Sequence, residues 1–156
     1  MSLLRSNVLQ TAIQTMKSFS KSQEQQIIAA IQTAESHTSG EIRVHIQREM
    51  PDGLMETAQR TFFKLGMQHT RQRNGILFFL VPSKRQFAIL GDSGINAVVP
   101  DNFWNDVRDT MQEQFRQGRF TEGLCAGILQ AGEKLHAFFP VETDNPNELN
   151  DTISFE

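Results

Sequence analysis

A three-layer α/β/α sandwich around a small mixed sheet is the fold this 156-residue chain predicts. Three observations predict it. Glu41-Ile42-Arg43-Val44-His45-Ile46-Gln47 alternates strictly between polar and apolar residues, the period of a half-buried strand. Ile76-Leu77-Phe78-Phe79-Leu80-Val81 is a short, bounded, aromatic-rich apolar run, as a central strand requires. Around these, apolar residues recur at helical spacing in several segments. The element order is α–β–α–β–β–α–α.

The first helix is expected over Lys21–Glu35, with Ile27, Ile28, Ile31 and Ala34 on one face. Ser20 with Gln23 three residues on forms a capping box. Residues 36–40 break the pattern before the alternating strand. Pro51-Asp52-Gly53 punctuates the chain, and Leu54, Ala58, Phe62 and Leu65 predict a second helix reaching about Gln68.

Asn74-Gly75 opens the apolar strand, and Pro82-Ser83-Lys84-Arg85-Gln86 is a short turn. Phe87-Ala88-Ile89-Leu90 returns as a third strand, and so short a turn implies an antiparallel hairpin. The first two strands, joined through a helix, are expected to be parallel by a right-handed crossover. Asp101 or Asn102 is the expected cap of a third helix carrying Trp104, Val107, Met111 and Phe115. A fourth begins at Arg119 or Thr121, carries Leu124, Ile128, Ala131 and Leu135, and stops at Pro140.

The domain is expected over 19–140. Residues 1–18 read as a weakly structured N-terminal segment, and 141–156 as an acidic, Asn-containing disordered tail.

Composition narrows the function. A net charge of −3 argues against nucleic acid as a partner, because phosphate binding needs a basic stripe. Twelve Phe against one Trp and no Tyr points to core residues rather than amphipathic surface anchors. Cys125 is the sole cysteine, so no intrachain disulfide forms, which suits a reducing compartment. Its apolar setting reads as a small buried side chain. No stretch approaches the length of a membrane span, and the first residues lack a signal-like apolar run. A cytoplasmic protein with no integral membrane segment is the expectation.

Four segments in order resemble the TPM domain family. They are Ser39-Gly40-Glu41-Ile42-Arg43-Val44, then Arg73-Asn74-Gly75-Ile76-Leu77, then Gly91-Asp92-Ser93-Gly94-Ile95 with Val99-Pro100-Asp101. Phe115-Arg116-Gln117-Gly118-Arg119-Phe120 with Gly123-Leu124 completes the set. The resemblance implies an α/β/α sandwich, divalent-cation binding, weak acid phosphatase activity in a plant chloroplast member, and maintenance of membrane protein complexes. The chain departs from the family in three ways. It shows neither signal peptide nor C-terminal anchor. Arg73 stands where many relatives have an acidic residue. The Gly91-Asp92-Ser93-Gly94 loop is one residue longer than a Gly-x-Gly pattern.

Topology offers one candidate site. Parallel strands start at one edge of the sheet, and the antiparallel third strand ends there. The loops 36–41, 70–74 and 91–101 therefore converge. Glu41, Asp92 and Asp101, with Ser93 and Asn96, form a set of hard oxygen donors suited to Ca²⁺ or Mg²⁺ and unsuited to zinc. Arg71 and Arg73 would hold an anion, and Ser39 and Asn74 line the rim. The same residues also have a structural reading: Asp101 as a helix cap, Asp92 and Ser93 as turn residues, Glu41 as the solvated face of a strand. The histidines 37, 45, 69 and 136 are expected to be structural or superficial.

Three functions remain. One is a divalent-cation-binding regulatory or interaction module acting on other proteins. The second is a metal-assisted phosphatase, with Asp92 or Asp101 on the ion and Arg71 or Arg73 on the phosphate. The third is a ligand-free interaction scaffold.

Overall fold

The computed structural model describes residues 2–5, 20–50, 52–142 and 151–156. In chain order the elements are β1 (Ser2–Arg5), α1 (Lys21–Glu35), β2 (Glu41–Ile46), α2 (Leu54–Lys64), β3 (Gly75–Val81) and β4 (Gln86–Gly91). A one-turn helix α3 (Ser93–Asn96), then α4 (Asn105–Arg116), α5 (Phe120–Leu135) and β5 (Ser154–Phe155) follow.

The sheet order is β1-β4-β3-β2-β5. β2 and β3 are parallel, with Glu41 opposite Gly75, and β3 and β4 are antiparallel, with Ile76 opposite Gly91. This is the pairing the crossover and the short turn demand. The turn closes through a 3₁₀ segment, Pro82–Lys84.

Alternation along the strands sorts the core into two layers. Ile42, Val44, Ile46, Ile76, Phe78, Leu80, Phe87 and Ile89 face one side, where α1, α4 and α5 cover them. Leu77, Phe79, Val81, Ala88 and Leu90 face the other, packed against Leu54, Ala58 and Phe62 of α2 and against Met67. With Ile95 of the one-turn α3 in the first layer, α1, α3, α4 and α5 on one face and α2 on the other make the expected sandwich. α1 and α5 approach closely because position 132 is glycine: a Cβ there would lie 2.7 Å from the Ala34 carbonyl oxygen.

The Ser20 capping box is present. Ser20 Oγ accepts from the Gln23 N–H, and the Gln23 side chain accepts from the Ser20 N–H, both at 3.0 Å. Several boundaries differ from expectation. α2 ends at Lys64, and Gly66, at φ +72°, turns the chain away. Neither Asp101 nor Asn102 caps α4; Trp104 occupies that position and supplies no capping side chain. Asp101 is exposed in the preceding turn.

Both chain ends add strands where the sequence alone reads as weakly structured. β1 pairs antiparallel with β4, and β5 pairs parallel with β2. Short strands of ordinary composition acquire their structure from the open edge they meet, not from local propensity. Residues 6–19 and 143–150 lie outside the described residues.

Candidate functional site

The three loops meet at one edge. The Glu41 N–H donates to the Asn74 carbonyl (3.2 Å), and the Asp92 N–H to the Gly75 carbonyl (2.9 Å). Asn74 Nδ2 donates to Ser39 Oγ (3.3 Å), as does Gln72 Nε2 (3.2 Å). The end of α5 joins them. The Ser39 N–H bonds the Phe139 carbonyl at 2.9 Å, and Gln72 Nε2 reaches Glu142 Oε1 at 2.9 Å.

At the centre, Arg73 and Asp92 are locked together. Arg73 Nε lies 2.8 Å from Asp92 Oδ2, and its Nη2 2.9 Å from Oδ1. Oδ1 also accepts the Ser93 N–H at 2.7 Å. The Asp92 side chain is buried, while that of Arg73 remains 45 % exposed. The pair holds Arg73 above the ordinary guanidinium pKa.

Local backbone geometry builds the pair. Arg73 sits at φ 51°, in the left-handed region, which turns its side chain toward β4. The Gly94 N–H donates to the Arg73 carbonyl at 2.9 Å. Position 94 must be glycine: a Cβ there would meet the Gln72 carbonyl and lie 2.7 Å from that of Arg73.

Tested against this geometry, the oxygen donors expected to take Ca²⁺ or Mg²⁺ do not fit as they stand. The Asp92 carboxylate is taken by a guanidinium and a backbone N–H. Asn96 turns its amide nitrogen to the Gly91 carbonyl (3.0 Å). Ser93 and Asp101 are exposed. Glu41 is 2 % exposed rather than solvated. Among the described residues no group of three or more His, Cys, Asp and Glu side chains could hold a metal ion. Ser39 and Asn74, read as rim, are 1 % exposed and knit the loops together. Arg71 is exposed.

Sequence reasoning passed over the side of β2. His45 is 2 % exposed, stacked on Phe79 at 5.5 Å. Its Nδ1 is 2.7 Å from Ser154 Oγ and its Nε2 2.9 Å from Gln47 Oε1. Burial lowers its pKa. Glu35 Oε2 accepts the Ile42 N–H at 2.9 Å. Burial, a hydrogen bond with Asp151, and the charges of Asp151 and Glu41 raise its pKa well above the carboxylate range. The signal for Glu35 was its place at the helix end just ahead of the strand; its partner Asp151 is over a hundred positions away. His37, His69 and His136 are exposed, and His136 Nδ1 lies 2.8 Å from the His37 carbonyl.

A model of the TPM domain matches residues 13–134. The chain belongs to the TPM domain family. The BA42 protein from the psychrophilic bacterium Bizionia argentinensis, known by NMR, is 40 % identical. It aligns over 88 % of this chain and 95 % of that one, with a TM-score of 0.85. An N-terminal domain of a Porphyromonas protein, P. gingivalis, shares the fold at 21 % identity (TM-score 0.64, covering 89 % of this chain and 96 % of that one). So does the N-terminal domain of the cg2496 protein from Corynebacterium glutamicum, at 16 % identity (TM-score 0.56, covering 88 % of this chain and 80 % of that one). No curated protein matches the chain. Among the described residues of this TPM domain, no helix is long and apolar enough to cross a membrane.

Proposed function

We propose that this TPM domain is an interaction module that acts on other proteins through the loop edge. The observation that carries the reading is where exposed apolar side chains lie. Of the five large ones among the described residues, Val98 (51 % exposed), Phe138 (39 %) and Val141 (50 %) belong to segments gathered at that edge. Val98 lies two residues past α3, the short helix that Asp92 opens. Phe138 packs edge-to-face on Phe103 at 5.6 Å, and Val141 lies between Phe139 and Glu142, which bond Ser39 and Gln72. Exposed apolar residues gathered into one patch with a polar rim are the usual form of a protein-binding surface. The half-exposed Arg73 favours a partner with an acidic group in its rim.

The expected divalent cation is no fixed part of this surface, since the Arg73–Asp92 pair uses the central carboxylate. In the metal-assisted phosphatase alternative, the Arg73–Asp92 pair leaves the ion to Asp101 and the phosphate to Arg71, both exposed. A cytoplasmic setting fits the reading, since the lone Cys125 forms no intrachain disulfide.

The test is to compare wild type with Val98→Asp and Val141→Asp in cross-linking from the native cell extract. The reading expects one cross-linked species lost in both variants and kept in an exposed control, Glu113→Gln. Retention of every cross-linked species in both apolar variants would sink it.

A further inference from the structure

β5 is the shortest strand of the sheet, and specific side chains hold it against β2. Its register with β2 is His45 to Ser154 and Ile46 to Phe155. Glu156 extends it, donating its N–H to the Ile46 carbonyl (3.0 Å) and accepting the Arg48 N–H (2.7 Å).

Two side-chain contacts set that register. Gln47 Nε2 donates to the Glu49 carbonyl at 2.7 Å, which leaves Oε1 facing His45 Nε2. The imidazole hydrogen therefore sits on Nε2, and Nδ1, at 2.7 Å, is the nearer of two acceptors for the Ser154 hydroxyl, the Val44 carbonyl lying at 3.3 Å. The second contact pairs Lys64 with Glu156, both exposed.

We propose that the outer edge of β2 is a docking site for an extended peptide carrying Ser two residues before a carboxylate. The chain's own C-terminal segment fills that site as a tethered ligand.

An edge strand presents unpaired N–H and C=O groups that another strand completes. The backbone supplies affinity and the pockets supply selectivity. His45 reads the hydroxyl: a residue without one at that position leaves Nδ1 buried and unsatisfied, the costly direction of a lost hydrogen bond. Lys64 reads the carboxylate. Phe155, 52 % exposed, lies between them and is read weakly. Tethering gives the native segment a high effective concentration, so a free peptide competes only when the tethered strand is weakened. This site runs along the side of the sheet and is independent of the loop edge.

Ser154→Pro in the full chain weakens the tethered strand by removing its hydroxyl and a backbone donor. The probe is a fluorescent peptide of residues 151–156, Asp-Thr-Ile-Ser-Phe-Glu, followed by anisotropy. Ser154→Pro is expected to bind it at least tenfold more tightly than wild type. Adding His45→Ala, or using the Ser→Ala peptide, should remove that gain. A Ser154→Pro chain with native-like NMR dispersion that ignores the peptide overturns the proposal. So does binding indifferent to both changes. Should Ser154→Pro not fold, Ser154→Ala with Glu156→Ala replaces it under the same two criteria.

Discussion

Arg73 holds Asp92 by two nearly parallel hydrogen bonds, 2.8 and 2.9 Å long, from a backbone conformation that arginine rarely adopts. A non-glycine residue at φ 51° is strained, and the ion pair with the Gly94 contact holds it there. Arg73→Ala loses the pair and keeps the strain. Arg73→Gly loses the pair and relieves it. The alanine variant should therefore melt a few degrees below the glycine variant. Equal melting temperatures by calorimetry would show that strain at this position is negligible.

Gly94→Ala tests the close approach beneath that pair. The added methyl must displace the 72–73 backbone, since its nearest neighbours are carbonyl oxygens rather than yielding side-chain ends. Overpacking of this kind costs about 1–3 kcal/mol. Chemical denaturation should report that loss, with an unchanged slope against denaturant.

Glu35 gives the fold a pH dependence of definite sign. Burial, above all, raises its folded pKa above the ordinary carboxylate value of 4.5. The stability it contributes is complete below 4.5 and is lost as pH rises toward the raised value, because the folded state keeps a proton the unfolded chain releases. Glu35→Gln keeps an acceptor for the Ile42 N–H and cannot ionise. The difference in stability between this variant and wild type should grow in the variant's favour from pH 5 to pH 9. His45 acts on the acid side, where its lowered pKa costs stability as pH falls below 6.5.

Cys125 should be slow to modify. It is half-buried in α5, and burial, aided by the nearby charge of Glu122, raises its thiol to about 11. Because the thiolate is the nucleophile, a maleimide or disulfide reagent at pH 8 should label the native chain far more slowly than the denatured one. Equal rates would contradict the packing of α5.

Much of this fold is legible locally. The alternation of 41–47, the apolar run from Ile76 and the Ser20–Gln23 box each carry their structure within a few residues. The convergence of three loops follows from strand direction alone. What those loops do with their carboxylates does not, because Arg73's conformation depends on Gly94, and Asp92's availability depends on Arg73. Glu41 reads as solvated from its position in the pattern, yet it is buried beneath contacts the pattern cannot register. The strands at the two ends are harder still: Ser154 meets His45 across 109 positions, and no local signal announces it.

The central claim is that the Asp92 carboxylate is held by Arg73. NMR of the Arg73 Nε–H during Ca²⁺ and Mg²⁺ titration of the full chain tests it most directly. The account predicts a shifted, protected signal that vanishes in Asp92→Asn and stays put as metal enters the millimolar range. A saturable shift at lower metal concentration, shared by Arg73, Glu41 and the 91–96 amides, would contradict it.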